Sequence, residues 1–259
     1  MLTMFKRFRS LILKVLIDHK VIQAKMYPFN FIPLQHEEVY CVIDIGANIG
    51  SISLAALRSF PNANVYAFEP LSELIPVITD KCARYSDRLY IKNIALGEVA
   101  QNLTINISNS PAASSFKPRA KSYIQQNPCI KTLSRREIRV EKLDDQENLI
   151  TPDVVKIDVE GFEYEVIRGG AQLLSKAKCI IIEISLCNDQ DVQNQAFLRI
   201  YTELHNLGFF FYGLYDYYYA KGKSNIASGA SQFDAIFMNR RSRELAMPEL
   251  YSNTNQAIS

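Results

Sequence analysis

The sequence has no tryptophan, no C-x-x-C pair and almost no excess of charge of either sign. Its 29 Lys and Arg residues against 27 Asp and Glu residues give a formal net charge of +2, which gives no support for nucleic acid or another polyanion as a partner. The five cysteines are scattered and odd in number, a usage that favours a reducing, cytoplasmic compartment over a disulfide framework. No apolar run approaches the roughly 18 residues of a membrane-spanning helix, so no transmembrane segment is predicted.

The two ends of the chain differ in composition from its middle. Residues 1–38 begin with the basic, amphipathic stretch MLTMFKRFRSLILKVLIDHK, whose apolar residues recur at helical spacing. We expect a helical extension there, and residues 1–20 could pack on the domain, lie on a membrane surface or contact a partner protein. Residues 39–240 are expected to form the main domain, and residues 241–259 a polar tail.

Strand and helix signals alternate through the main domain. This alternation predicts an α/β doubly wound, mostly parallel sheet, in which ligands bind beyond the carboxyl ends of the strands. Residues 97–145 are less regular, with strand-like segments at 103–107 and 139–143. The predicted strands are 39–45, 64–68, 89–93, 153–158, 179–185, 209–215 and 233–239, and the predicted helices are 51–59, 72–83, 163–175 and 191–207.

The stretch VIDIGANIGS, residues 42–51, leaves the first strand through an acid and two glycines. Its pattern, D-x-G-x-x-x-G, differs from the G-x-G-x-x-G pyrophosphate fingerprint, because a carboxylate at Asp44 would repel an anionic ligand. It would attract a cationic one, and S-adenosylmethionine carries both a sulfonium and an ammonium. Gly46 opens the turn, Gly50 lets the backbone approach a ligand, and Ser51 is expected to cap the next helix. A plain structural turn is the alternative interpretation.

Two further strand ends supply polar groups for the same ligand. Glu69 ends the second strand, where a carboxylate can accept hydrogen bonds from both hydroxyls of a ribose. The proline after it keeps Glu69 extended. Asn93 and Ala95 follow the third strand, and their amide and backbone groups could border an adenine. A solvated acid at the end of a strand is the alternative interpretation of Glu69.

The fourth strand ends in the sequence KIDVEG, which contains Asp158 and Glu160. Two acids two positions apart on an extended chain face the same side, and they could act as a general base for a hydroxyl or hold a divalent ion. Glu183 lies within the apolar strand CIIIEIS and would add a third acid to the same crevice. The alternatives are an ion pair with Lys156 and a structural role for Glu183. The three histidines show no metal-ligand spacing, and we expect no resident metal.

Several motifs, taken in order, resemble the FkbM-type S-adenosylmethionine-dependent methyltransferases over residues 39–239. These motifs are VIDIGANIGSIS, AFEP, KNIALGE, the pair Ser114-Ser115, KIDVEGFEYEVIRGG and IIIEIS. The resemblance implies a class I methyltransferase fold, a Rossmann-like sheet of seven mostly parallel strands with an antiparallel terminal strand. It implies S-adenosylmethionine as the cofactor and methyl transfer to a hydroxyl of a small molecule, sugar or glycan. It assigns the cofactor to Asp44, Gly46, Asn48, Gly50, Glu69, Asn93 and Ala95, and the acceptor end to Asp158, Glu160 and Gly161.

Methyl transfer requires alignment of the acceptor oxygen, the methyl carbon and the sulfur, and removal or polarisation of the hydroxyl proton. We expect Asp158 to be the base, with Glu160 as the second candidate. Three other functions stay open: a catalytically inactive scaffold, an NAD-dependent oxidoreductase, and a nucleic-acid or protein methyltransferase. Asp44 in place of the first fingerprint glycine opposes the oxidoreductase, and the near-neutral charge opposes a nucleic-acid substrate.

Overall fold

The computed structural model of the chain describes residues 28–118, 124, 128–185, 190–219 and 230–242. The amphipathic stretch predicted within residues 1–20 and the tail beyond residue 242 lie outside the described residues. Among the described residues, no helix combines the length and the apolarity that crossing a bilayer would require.

In the part of the chain that the structure describes, ten strands form two sheets. The strands are β1 (Cys41–Ile45), β2 (Asn64–Phe68), β3 (Leu89–Lys92), β4 (Ala95–Leu96), β5 (Gln101–Ser108), β6 (Thr132–Glu141), β7 (Val154–Ile157), β8 (Cys179–Ser185), β9 (Phe209–Tyr219) and β10 (Ala230–Asn239). The main sheet has seven strands in the order β3-β2-β1-β7-β8-β10-β9. Strand β10 runs antiparallel to both of its neighbours, and the remaining pairs are parallel. The predicted α/β sheet with an antiparallel terminal strand is confirmed.

Helices cover both faces of the main sheet. They are α1 (Ser51–Ser59), α2 (Ile75–Lys81), α3 (Glu163–Gly169), α4 (Ala171–Leu174) and α5 (Gln190–Asn206). Helices α1 and α2 bury Leu57 and Ile78 in the apolar core on one face, and α3 and α5 bury Val166 and Leu204 in the core on the other. The helix predicted over residues 163–175 is divided at Gly169-Gly170, where α3 ends and α4 begins. Pro76 lies in the first turn of α2. Backbone N–H groups in the first turn have no acceptor within the helix, so the proline costs no helical hydrogen bond there.

Strand β1 is buried on both faces, so its side chains alternate between two apolar cores. Cys41, Ile43 and Ile45 pack in the core under α3 and α5, and Val42 packs in the core under α1. Because side chains alternate along a strand, Asp44 also faces α1. This orientation decides the part that Asp44 plays in the site.

The start of α1 differs from the prediction that Ser51 caps it. The residue before the first helical turn is Gly50, in a left-handed conformation, and no side chain caps the helix there. Ser51 is the first helical residue, and its hydroxyl accepts a hydrogen bond from Lys81 at 3.1 Å. At the other end of α1, Arg88 donates to the carbonyl groups of Leu57, Phe60 and Ala63.

The prediction for residues 97–145 was incomplete. The strand predicted at 139–143 is instead β6, which runs from Thr132 to Glu141 and ends before Leu143. It pairs with β5 and β4 to form a second, three-stranded sheet. A short 3-10 turn at Pro111–Ala113 follows β5, and an isolated bridge joins Asn106 to Ser115. This second sheet carries one wall of the cavity described below.

The segment before β1 packs on the domain. Phe29 and Ile32 are buried in the same apolar core as α1, and the ring of Phe29 meets the ring of Phe60 edge to face, with centroids 5.1 Å apart. The described part of the predicted 1–38 extension is therefore a component of the folded domain.

Candidate active site

A cavity of about 610 Å³ lies at the carboxyl ends of the parallel strands, the position that this class of sheet favours for a ligand. Its wall includes six of the predicted site residues: Gly46, Asn48, Glu69, Ala95, Asp158 and Glu160. Glu183 lines it as well. Asp44, Gly50 and Asn93 lie outside the wall, in supporting positions.

The loop after β1 contains three left-handed residues, Gly46, Asn48 and Gly50. Gly46 and Ala47 both donate to the carbonyl oxygen of Phe68 at 3.0 Å, which fastens the loop to the end of β2. The side-chain oxygen of Asn48 is buried without a hydrogen-bond partner in the protein. A buried acceptor of this kind is poised to receive a donor from a bound ligand.

Gly50 differs from the expectation of a close approach to ligand. A Cβ atom there would lie 3.0 Å from Cγ2 of Ile78 in α2, and φ is +73°. Glycine at this position therefore serves the helix packing and the left-handed turn.

Glu69 fastens two loops at once. It is 4% exposed; Oε2 accepts from the backbone of Asn48 at 2.7 Å, and Oε1 accepts from Leu71 at 2.9 Å. Burial raises the pKa of Glu69 to about 7, although these two hydrogen bonds act in the opposite direction. Each carboxylate oxygen keeps a second lone pair, so the group can still accept from a hydroxyl in the cavity. Asn93 supports this turn by donating to the carbonyl groups of Glu69 and Pro70.

Asp44 lies behind the cavity wall. It is 1% exposed, and its carboxylate accepts from the hydroxyl of Ser53 in α1 at 2.5 Å. Burial raises the pKa of Asp44 to about 6, against the hydrogen bond from Ser53 and the charge of Lys156. Asp44 therefore holds α1 against β1, and its charge acts on the cavity through intervening backbone.

Three carboxylates meet in the wall of the cavity. Asp158, Glu160 and Glu183 each place an oxygen within 4.8 Å of the others. The crevice predicted for these three acids is confirmed by this grouping. Carboxylate oxygens this close can accept several hydrogen bonds from one polyhydroxylated molecule.

Lys156 supplies the positive charge between the acids. It is 1% exposed, and its ammonium lies 3.3 Å from Asp158 and 3.1 Å from Asp234. Burial alone would lower the pKa of Lys156, but the charges of Asp158, Asp234 and Glu183 outweigh it and raise the pKa, so the lysine stays protonated. The ion pair with Lys156, which was the alternative to the acid crevice, is present, and the crevice is present as well.

The sheet register explains this charge pattern. Asp44 and Lys156 are direct neighbours on β1 and β7, and Glu183 and Asp234 are direct neighbours on β8 and β10. Sequence reasoning missed Asp234, whose signal was an acid inside the apolar strand QFDAIF, the same signal that identified Glu183. Tyr215, the register partner of Asp234 on β9, also lines the cavity.

Two residues that lie in the family-like motifs, but for which no role was predicted from the sequence, hold the turn after β7. Oε1 of Glu163 accepts from the backbone of Val159 and Gly161 at 3.2 and 2.9 Å. The hydroxyl of Ser115 donates to the carbonyl oxygen of Glu160 at 2.7 Å. The spacing D-V-E-G-F-E contained a third acid that could have indicated the part of Glu163.

Comparison with known proteins supports the sequence resemblance. The profile of the Methyltransferase FkbM domain matches residues 44–211. The hexuronic acid methyltransferase AglP of Haloferax volcanii is 32% identical over 148 residues, which cover 57% of each chain. The 2-O-methyltransferase NoeI of Sinorhizobium fredii is 26% identical over 63% of this chain and 70% of its own. The chain thus spans a little over half the length of AglP.

Solved structures match at lower identity. The precorrin-6y C5,15-methyltransferase of Geobacter metallireducens GS-15 is 16% identical, with a TM-score of 0.46 over 85% of this chain and 90% of its own.

Proposed function

The chain belongs to the FkbM methyltransferase family, and we propose that it transfers the methyl group of S-adenosylmethionine to a hydroxyl oxygen of a small molecule or a carbohydrate. One observation carries this proposal: a single cavity joins the loop of Gly46 and Asn48 and the carboxylate of Glu69 to the crevice of Asp158, Glu160 and Glu183. A methyl donor and a hydroxyl acceptor must share one enclosed space for direct transfer.

The residues of the cavity fit S-adenosylmethionine at one end. The buried oxygen of Asn48 needs a donor, which the ammonium group of the cofactor would provide. The carboxylate of Glu69 can accept from ribose hydroxyls, and Ile94, Ala95 and Leu96 offer an apolar edge of the wall to a purine. When bound, the cofactor supplies an electrophilic methyl group on a sulfonium.

The acids at the other end would handle the acceptor. Asp158 is proposed as the base, because its carboxylate lines the cavity 3.3 Å from the ammonium of Lys156 and can accept a hydrogen bond from the acceptor hydroxyl. Glu160 and Glu183 would accept from neighbouring hydroxyls and thereby orient the acceptor. Asp158 would take the hydroxyl proton as the acceptor oxygen gains the methyl group.

The acceptor is proposed to be a sugar or another polyhydroxylated small molecule. The crevice presents mainly hydrogen-bond acceptors, and hydroxyl groups are the matching donors. The printed names of AglP and NoeI, a hexuronic acid methyltransferase and a 2-O-methyltransferase, support this class. The net charge of +2 supports an acceptor other than nucleic acid.

The test combines binding with transfer. S-adenosylhomocysteine is titrated into wild type, Glu69→Ala and Asp158→Asn by calorimetry, with NADH as the competing ligand class. Methyl transfer from tritiated S-adenosylmethionine is then measured with a panel of methyl hexosides and hexuronosides. We expect micromolar binding to wild type and Asp158→Asn, weaker binding to Glu69→Ala, and transfer by the wild type alone.

Three outcomes would count against the proposal. A folded wild type that binds no S-adenosylhomocysteine would contradict the cofactor assignment. Binding without transfer to any hydroxyl in the panel would favour the inactive scaffold. Binding of NADH in place of S-adenosylhomocysteine would return the oxidoreductase to consideration.

A further inference from the structure

Glu160 has a left-handed backbone conformation, which residues other than glycine rarely adopt. Its φ is +54°, and the next residue, Gly161, has φ of +95°. These two successive left-handed residues form the turn between β7 and α3, with one residue between them and Asp158. Glycine adopts this conformation readily, whereas a long side chain does so rarely and under strain. A strained residue persists only where its surroundings impose the conformation, and such residues cluster at functional sites.

Glu163 holds the strained turn from the side of helix α3. Its carboxylate is buried, at 7% exposure, and one oxygen accepts from the amides of both Val159 and Gly161. These two amides flank Glu160. Glu163 is the first residue of α3, and its carboxylate reaches back to amides that precede the helix. It therefore stabilises the turn in addition to favouring the helix N-terminus.

Ser115 holds the same turn from the side of the second sheet. Its hydroxyl donates to the carbonyl oxygen of Glu160 at 2.7 Å. Ser115 is itself fixed, because its backbone exchanges two hydrogen bonds with Asn106 of β5, at 2.9 and 3.2 Å. The turn is thus fastened to two separate elements, helix α3 and the segment that follows β5.

We propose that Glu163 and Ser115 are positioning residues that force Glu160 into its left-handed conformation and so direct its carboxylate into the crevice beside Asp158 and Glu183. The expected effect on methyl transfer rests on the proposed function. The hydrogen bonds that restrain the turn do not depend on which reaction takes place. The carboxylate of Glu160 is then placed by its backbone, so that loss of either hydrogen-bonded support moves it away from the acceptor. The cofactor loop is fastened separately, by hydrogen bonds to Phe68 and Glu69.

The first test concerns the restraint and needs no acceptor. Amide hydrogen exchange at Val159 and Gly161 is measured in wild type, Glu163→Ala and Glu163→Gln, with Glu165→Gln as the matched control. Glu165 lies on the same helix and pairs with Lys117 at 3.1 Å, whereas the amides of Val159 and Gly161 donate to Glu163. We expect exchange at both amides to accelerate about tenfold or more in Glu163→Ala, to change little in Glu163→Gln, which keeps an accepting oxygen, and to stay unchanged in the control.

The second test concerns the chemistry. With the best acceptor of the sugar panel, Glu163→Ala and Ser115→Ala are expected to lower kcat by roughly 50-fold, with Kd for S-adenosylhomocysteine within about twofold of wild type. Glu163→Gln should recover most of kcat. If Glu163→Ala fails to fold, Ser115→Ala and Glu163→Gln carry the comparison.

Unchanged exchange in Glu163→Ala would overturn the restraint. Faster exchange with kcat within about threefold of wild type would overturn the positioning role. If the wild type binds no cofactor or transfers to no acceptor, the proposed function fails, and the exchange data still decide whether Glu163 restrains the turn.

Discussion

The backbone of Gly46 lies against the carbonyl oxygen of Asp158: a Cβ atom on Gly46 would be 1.8 Å from that oxygen. The loop after β1 and the turn after β7 therefore touch in the wall of the cavity. The two ends of the site, one proposed for the cofactor and one for the acceptor, are set relative to each other through this contact.

Gly46→Ala is expected to separate the two loops. The new methyl group would clash with backbone, and φ of +84° disfavours any side chain. We expect the free energy of unfolding to fall by roughly 3 kcal/mol and binding of S-adenosylhomocysteine to weaken by about tenfold or more. Urea unfolding and calorimetry measure the two effects. Gly213→Ala is the control, because a Cβ atom there meets nothing within 4 Å; a loss of equal size in this variant would contradict the explanation.

The glycines at the end of α3 provide a second matched pair. A Cβ atom on Gly169 would lie 1.9 Å from the carbonyl oxygen of Gly97, whereas one on Gly170 would lie 2.8 Å from a side-chain methyl of Leu143. Side chains yield more readily than backbone, so Gly169→Ala should lose roughly 3 kcal/mol or more in free energy of unfolding and Gly170→Ala roughly 1 kcal/mol. The reverse order in urea unfolding would show that the Gly97 segment moves easily.

Lys156→Met is expected to destabilise the protein strongly. It leaves Asp158 and Asp234 without the cation that both contact, and removal of one partner from a buried ion pair typically costs about 3–5 kcal/mol. Lys117→Met is the control, since Lys117 is half exposed and its pair with Glu165 is solvated; we expect less than about 1 kcal/mol there. Equal midpoints in chemical denaturation for the two variants would contradict this account of Lys156.

The raised pKa of Glu69 predicts a pH dependence with a definite sign. Its ordinary value of 4.5 applies to the unfolded chain, and burial raises the pKa to about 7 in the folded chain. The folded state therefore holds the proton more tightly, so this contribution to stability is present below pH 4.5 and is lost as the pH rises through about 7. Asp44 acts in the same direction between 3.8 and about 6.

The measurement is the free energy of unfolding of wild type and Glu69→Gln from pH 4 to pH 8. We expect the free energy of unfolding of wild type to fall by roughly 3 kcal/mol across this window because of Glu69. Glu69→Gln should lack this contribution, so the difference in free energy of unfolding between the two proteins should change by the same amount. Affinity for S-adenosylhomocysteine should rise over the same window in wild type alone, since the ionised carboxylate is the better acceptor for ribose hydroxyls. A constant difference between wild type and variant would show that Glu69 does not titrate there.

Chelation should leave methyl transfer unchanged. The acids of the crevice lie close enough to hold a divalent cation, but Lys156 already supplies a fixed positive charge to Asp158. We expect equal rates before and after dialysis against EDTA. A loss of activity that Mg²⁺ or Mn²⁺ restores would assign the crevice to a metal.

Much of this architecture could be predicted from the sequence. The strands of the main sheet are short apolar runs that end in acids and glycines, so the positions of Glu69, Asp158 and Glu183 at the cavity followed from sheet topology. The face of the sheet towards which Asp44 points could not be predicted. A strand buried on both faces has apolar residues at every position, so nothing in VIDIG shows which way the acid points.

Other features depend on contacts between distant parts of the chain. Strand β4 has only two residues, and it becomes a strand because β6 lies beside it. Asp234 meets Lys156 across 78 positions of sequence. The left-handed conformation of Glu160 is imposed by Ser115, 45 positions away, and by the side chain of Glu163, so no local propensity could reveal it.

Tyr215 and Asp234 are register partners across the antiparallel hairpin and line the cavity, whereas Asn48 and Glu69 line it from the first half of the chain. Under the proposed function, the two substrates are recognised by separate stretches of the gene. Recombination that exchanges only the 3′ portion among relatives could give rise to enzymes with new acceptors while the machinery for the shared methyl donor is inherited intact.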